Sequence, residues 1–367
     1  MAHRRVGRTD SPASERMPGP SRLDRLDRLA GCLAGLAIGD ALGTPTQPTA
    51  AATHARYGYI QGFLTPDADD PFGHAGLAAG QITDDTQAAL ALVTGVIRRR
   101  AFSVEIAAEA LVAWLDAIHA AASPYVGPST KAAYQALKRG VPPAESGRGG
   151  ATNGAAMRVA PLGFLHADFS RVVRAAADSA LPTHNSPLGL ASAAAVAGAV
   201  HAAARGAPLA AMIGSASRGA DEALTLYAGP ALFATVPNLG RRIQWAVKLM
   251  DGELAGPDPE GWTGAVWFKL RDLYDYVGAG MAAHESVPAA FAVLALAGGD
   301  AWTAGLLAAN LGGDGDTIGA MAGAMGGALS GLDALPADAV RQVEQVNGLN
   351  FRQLARDFLD AAGDLSP

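Results

Sequence analysis

Apolar residues recur at three- and four-residue spacing through most of this chain. Segments 23–39, 86–100, 103–122, 129–139, 187–204, 286–298, 318–332 and 336–346 carry the pattern, are rich in Ala and Leu, and predict helices. Strict alternation with β-branched residues is scarce, so a sheet has little to be built from. No fixed-period repeat and no break in composition marks a second domain. Gly31, Gly35 and Gly39 fall on one helical face, and Gly319, Gly323, Gly326 and Gly327 repeat the device. Each glycine costs a helix about 1 kcal/mol, so the pattern predicts helix axes brought close together. The Gly/Pro/Asp-rich stretches 62–81 and 251–261 read as surface loops, the first a candidate flap.

Composition sharpens this. Of 367 residues 50% are hydrophobic but only 6% aromatic, so Ala, Leu and Val must fill the core. A net charge of −6, with no basic stripe, argues against a nucleic-acid surface. The single cysteine, Cys32, excludes an intramolecular disulfide framework and fits a reducing cytoplasm. Residues 1–22 carry five arginines among prolines and serines but no apolar signal core. They read as a disordered tail before a domain over 23–367. The apolar stretches near 186–200 and 318–332 fall short of the roughly 20 residues of a membrane span. The expectation is a soluble, cytoplasmic protein.

Two stretches share a grammar. "ITDDTQAALALVTGVIRRR" places Thr83, Asp84, Asp85 and Thr86 before an apolar helix, and "NLGGDGDTIGAMAGAMGGAL" places Asp314, Asp316 and Thr317 before another. Acids and hydroxyls at a helix N-terminus accept free N–H groups and oppose the dipole. One carboxylate suffices for a cap, whereas two at each of two sites repel unless a cation compensates. Oxygen-only donors suit Mg²⁺ or Mn²⁺ rather than zinc. From spacing alone, capping and metal binding stand level. A calcium-binding helix–loop–helix starting at Asp314 would need a glutamate where Met325 stands, and fails. "DGDTI" also matches the aspartate nucleophile loop of haloacid-dehalogenase-type phosphatases. That loop should follow an early buried strand, yet here it follows helix-like "AWTAGLLAAN" late in the chain.

"GCLAGLAIGDALGTPTQ" (31–47), "ITDDT" (82–86), "TNGAAMRVAPLG" (152–163), "PTHNSP" (182–187), "ESVPAA" (285–290) and "ANLGGDGDTIGAMAGAMGGAL" (309–329) occur in this order. Together they resemble the ADP-ribosylglycohydrolase family, which includes dinitrogenase reductase-activating glycohydrolases and the ADP-ribosylarginine and ADP-ribosylserine hydrolases. The resemblance spans about residues 25–350. It implies an all-α, compact single-domain orthogonal helical bundle around two Mg²⁺ or Mn²⁺ ions. It assigns metal ligation to Thr83, Asp84, Asp85, Asp314, Asp316 and Thr317. It places the glycine-rich segment along an ADP-ribose cleft, where bare backbone N–H groups can approach a diphosphate. Gly149, Gly150, Thr152, Asn153, Gly154 and Met157 are the substrate-side candidates, with a tight interhelical turn as the alternative. His184 matches the family's cleft histidine, before Pro187 at a helix start and exposed to ligand. Ser129 and Thr130 suit a distal ribose or a helix cap, and Ser286 and Pro288 read as helix start without chemistry.

Cleaving a ribosyl C1–N or C1–O bond passes through an oxocarbenium-like transition state. Hard cations orient sugar hydroxyls and a water, and a carboxylate, Asp85 or Asp316, takes the water's proton. Two positions depart from the family. Gln47 stands where a glutamate is common, and Gly315 replaces a small side chain, often threonine. The expected partner is ADP-ribose on a protein or small acceptor, handled by a monomer. A hydrolase of smaller ribosides, and a non-catalytic relative such as the family's lens crystallin, remain the alternatives.

Overall fold

The structure, a computed structural model, describes residues 21–120, 123–227, 236–252 and 254–363. Among them are seventeen α-helices and no strand. The first half of the chain forms α1 (Arg22–Gly43), α2 (Ala50–Tyr57), α3 (Asp84–Arg99), α4 (Val104–Ala117), α5 (Pro128–Lys138), and the single turns α6 (Pro143–Ser146) and α7 (Gly154–Met157). Then come α8 (Phe169–His184), α9 (Pro187–Ala204), α10 (Leu209–Tyr227), α11 (Leu239–Leu249), α12 (Gly264–Tyr276) and α13 (Ala283–Leu296). The last four are α14 (Ala301–Leu311), α15 (Gly315–Ser330), α16 (Ala337–Asn347) and α17 (Phe351–Gly363). The eight segments that periodicity predicts fall on α1, α3, α4, α5, α9, α13, α15 and α16. The segment 103–122 overshoots, since α4 ends at Ala117, and residues 121–122 lie outside the described residues. So do residues 1–20 of the tail. Helix α1 begins on a capping box: Ser21 Oγ accepts the Asp24 amide at 3.2 Å and the Asp24 carboxylate accepts the Ser21 amide at 3.0 Å.

Helices α1 and α15 form the axis of one compact domain. They run antiparallel with glycine against glycine, pairing Gly31 with Gly327, Gly35 with Gly323 and Gly39 with Gly319. A Cβ at Gly35 would lie 2.1 Å from the Gly323 carbonyl oxygen, so only bare backbone fits. Gly326 does not share this seam; it faces Ala301 at the start of α14. The seam matters for function because antiparallel packing sets the end of α1 beside the start of α15. Helix α9 is by length and composition apolar enough to cross a membrane, but 94% of it is buried inside the domain. That burial explains its uniform apolarity as a core helix.

Candidate active site and metal centre

The acids of the two helix starts meet in one cavity. Asp84, Asp85, Asp314, Asp316 and Thr317 line it together with Thr152, Asn153, Gly154 and Met157 from the α7 turn, and His74 from the loop between α2 and α3. Thr83 is the N-cap of α3, its hydroxyl near the Asp85 amide at 3.4 Å. Its own proton goes to Asp40 Oδ1 at 2.8 Å, which leaves one lone pair for another partner. Asp40, fully buried near the end of α1, accepts from the amides and hydroxyls of both Thr83 and Thr86. The first turn of α3 is thereby fixed to α1. Asparagine at α7 fixes α15 in the same way: Asn153 Nδ2 donates to Asp314 and, at 3.0 Å, to Ser286 Oγ.

This many buried acids in one place perturb each other. Burial, then repulsion from Asp316, pushes Asp84 up to about 7 and holds Asp85 and Asp314 well above the usual carboxylate range. Asp40 is pushed up to about 6, again chiefly by burial. Asp316 behaves oppositely. Burial pushes it up, but His74, with Nε2 at 3.2 Å, outweighs this and keeps it low. His74 Nδ1 lies 3.0 Å from the Thr44 carbonyl, which can only accept. With acceptors at both nitrogens the ring is an imidazolium, and although burial opposes the charge, Asp316 and Asp70 raise its pKa to about 9.

A divalent cation suits these donors on one observation in particular: Asp85 Oδ1 is buried without a hydrogen-bond partner. Unpaired buried carboxylate oxygens are expensive unless something positive meets them. No three Asp, Glu, His or Cys side chains among the described residues form a ready metal cage, however. Asp316 is held by His74 and by the Thr317 amide at 2.9 Å, and Asp314 by Asn153, so ligation requires these contacts to yield.

The substrate-side residues divide. Thr152, Asn153, Gly154 and Met157 line the acid cavity. Gly149 and Gly150 line a neighbouring depression with Ser129, Ser146 and Thr183, and Pro128 lines both it and the cavity. Much of the room these glycines leave is used by the chain itself. A Cβ at Gly150 would lie 2.5 Å from the Thr183 carbonyl oxygen, and one at Gly154 2.7 Å from His184 Cε1. Gly149, at φ +85°, does face open space. His184 is the clear correction: it is fully buried at the end of α8, not exposed to ligand. Gln47 is also buried, with Nε2 3.2 Å from the Pro45 carbonyl, and it is absent from the cavity lining. Its backbone carbonyl accepts the Gly313 amide at 3.0 Å, so it anchors the loop entering α15. At Gly315 a Cβ would meet Thr46 Oγ1 at 2.5 Å, so Thr46 fills the space of the missing side chain.

The sequence singles out none of Asp40, His74 and Arg158, and Ser286, expected at a helix start without chemistry, lies inside α13 and accepts from Asn153. Asp40 had a usable signal. A carboxylate amid an otherwise apolar, glycine-faced helix must be partnered or functional.

Fold and site together define an all-α protein whose acid-rich cleft is built from converging helix ends. The family model described as ADP-ribosylglycohydrolase matches residues 21–366, and the chain belongs to that family. An uncharacterised protein of Escherichia coli (strain K12), YegU, is 33% identical over 339 residues, covering 90% of this chain and 96% of its own. An uncharacterised protein of Archaeoglobus fulgidus is 36% identical over 176 residues, 47% of this chain and 55% of its own. A solved structure named as an ADP-ribosylglycohydrolase-related protein complex superposes with a TM-score of 0.66. It covers 93% of this chain and 99% of its own at 24% identity, a likeness of fold. Family membership supports a hydrolase of the glycohydrolase type.

Proposed function

We propose that this protein is a metal-dependent hydrolase that cleaves the glycosidic bond between ADP-ribose and a side chain or small acceptor. The observation that carries the reading is the convergence of Asp84, Asp85, Asp314, Asp316 and Thr317 in one cavity, with Asp85 Oδ1 unpaired. These residues, with the remaining lone pair of Thr83, would hold two Mg²⁺ or Mn²⁺ ions. Bound there, such ions neutralise the acid cluster, polarise sugar oxygens and make water a better nucleophile. The chain's own groups do the rest. The water's proton would go to Asp85 or Asp316, whichever keeps an oxygen outside the metal set, and His74 and the Thr317 amide already engage Asp316; general base catalysis of this kind is worth about 10²–10⁴-fold. Asn153 Nδ2 donates to both Asp314 and Ser286, and Asp40 holds the first turn of α3. The depression beyond Pro128, with Gly149 open to it, supports a ligand longer than a nucleoside.

The test is release of free ADP-ribose from arginine- and serine-linked peptides in Mg²⁺ or Mn²⁺. We expect release by the wild type, lost in EDTA and in Asp314→Ala and Asp316→Ala variants that remain helical by circular dichroism. Full activity in either variant would sink the reading. Release of ribose from nucleosides, with none from ADP-ribosyl peptides, would establish the smaller-riboside hydrolase instead.

A further inference from the structure

Next to Met157 of the cavity wall lies a buried arginine that forms no ion pair within 4 Å among the described residues, although the Asp84 charge acts on it. Arg158 is fully buried just after α7, and its Nε and Nη1 have no hydrogen-bond partner. Its Nη2 donates to the Ser179 carbonyl at 3.1 Å and to Thr183 Oγ1 at 2.6 Å. Thr183 Oγ1 lies 2.8 Å from His184 Nδ1, and His184 Nε2 lies 2.8 Å from Thr152 Oγ1. Thr183 and His184 are buried, while Thr152 is half-buried on the cavity wall.

Donor and acceptor chemistry gives this chain of contacts a direction. A guanidinium only donates, so the Thr183 hydroxyl accepts from Arg158 and must send its own proton elsewhere. Among the described residues the acceptor within reach is His184 Nδ1. A neutral imidazole accepting at Nδ1 carries its proton on Nε2, and that proton faces Thr152 Oγ1. The ring does stay neutral: burial, with the Arg158 charge adding to it, pushes its pKa down to about 3. Thr152 Oγ1 thus accepts from the ring, and its own proton points away from it. Ser129 Oγ, at 3.4 Å, is too distant to hold that proton well.

We propose that Arg158, Thr183 and His184 form a one-way hydrogen-bond relay that presents the Thr152 hydroxyl to the cleft as a donor, making His184 a positioning residue and Thr152 the contact to an acceptor oxygen of the ligand. The fixed cation sets the polarity at the far end, and each link passes it on. The relay also accounts for the packing of Gly154, whose missing side chain leaves room for the His184 ring.

The tautomer is measurable without ligand. Long-range ¹⁵N–¹H spectra of the full chain with ¹⁵N-histidine, with His184 identified through His184→Gln, should show a neutral ring protonated on Nε2 at about pH 7. A ring protonated on Nδ1, or on both nitrogens, overturns the relay. The binding arm rests on the proposed function and uses ADP-ribose with Mg²⁺ in calorimetry. Thr152→Val should weaken binding about tenfold and Thr152→Ser should restore it, the difference expected of one hydrogen bond to a charged acceptor. Thr183→Val should weaken binding by a similar factor, and the double variant should be no worse than either alone, because both break one relay. An unchanged dissociation constant in Thr152→Val, or single effects that multiply to about a hundredfold, would overturn it. If Thr183→Val fails to fold, the tautomer and the Thr152 pair decide. If wild type does not bind ADP-ribose, the proposed function falls and the tautomer alone decides the relay.

Discussion

Asp40, Asp84 and His74 hold protons more tightly in the metal-free fold than in an unfolded chain, titrating at about 6, 7 and 9 against ordinary values of 3.8, 3.8 and 6.5. A group raised in this way stabilises fully below its unfolded pKa, and that contribution is lost as pH rises through the folded value. Asp316, held low, acts in the opposite sense and loses its contribution only in acid. His184, His166 and His201, held low by burial, also act in the opposite sense, but only below about pH 6.5, where the unfolded ring still binds a proton. Above that the raised groups act alone, so the thermal midpoint of the chelated protein should fall between about pH 6.5 and pH 9, and Asp84→Asn should flatten the first part of the fall. A midpoint that climbs over that range in scanning calorimetry would contradict the proton bookkeeping. The acid pairs of α3 and α15 were legible because two carboxylates at one helix start exceed what a cap needs. His74 was not legible: a lone histidine in a loop announces nothing until the fold sets it against Asp316, some 240 positions away. His184, expected to face ligand, is buried instead, because the sequence cannot show that the end of α8 turns inward.

At the scale of elements, the glycine seam between α1 and α15 makes a paired prediction. Gly35→Ala places a methyl 2.1 Å from a backbone oxygen that cannot move alone, so the helices must separate. Overpacking of this kind costs about 1–3 kcal/mol or more, which exceeds the roughly 1 kcal/mol gained in helix propensity. Gly214, exposed within α10 with nothing near its absent Cβ, should respond oppositely, with Gly214→Ala stabilising by about 0.5–1 kcal/mol. Urea unfolding of both variants checks the pair, and a Gly35→Ala protein as stable as wild type would refute the close approach. The seam was legible as a four-residue glycine period on two segments, although Gly326 proved to serve α14. Periodicity failed elsewhere for identifiable reasons. Helices α6 and α7 are single turns, too short to show any period, and α8 carries Pro182 in its last turn, where sequence rules would end a helix.

For the molecule as a whole, the consequence is that the site exists only when distant segments are folded together: Asp40, Asp84, Asn153 and Asp314 come from four parts of the chain. Any cation that binds there binds the native state alone and stabilises it by mass action, about 2.7 kcal/mol at a hundred times its dissociation constant. The same acids destabilise the protein without the cation, because burial and mutual repulsion oppose their charge. Stability and function are therefore set against each other, and the two should cross. In EDTA, Asp85→Asn should melt higher than wild type, since it removes a buried carboxyl with an unpaired oxygen while keeping its shape. In about 10 mM MgCl₂ the order should reverse, with wild type gaining several degrees and the variant little. The measurement is four melting curves, two proteins in two buffers. Should Asp85→Asn melt below wild type in EDTA and still gain as much from Mg²⁺, Asp85 would be an ordinary structural carboxylate of the first turn of α3, and the cation would have to be held by other groups.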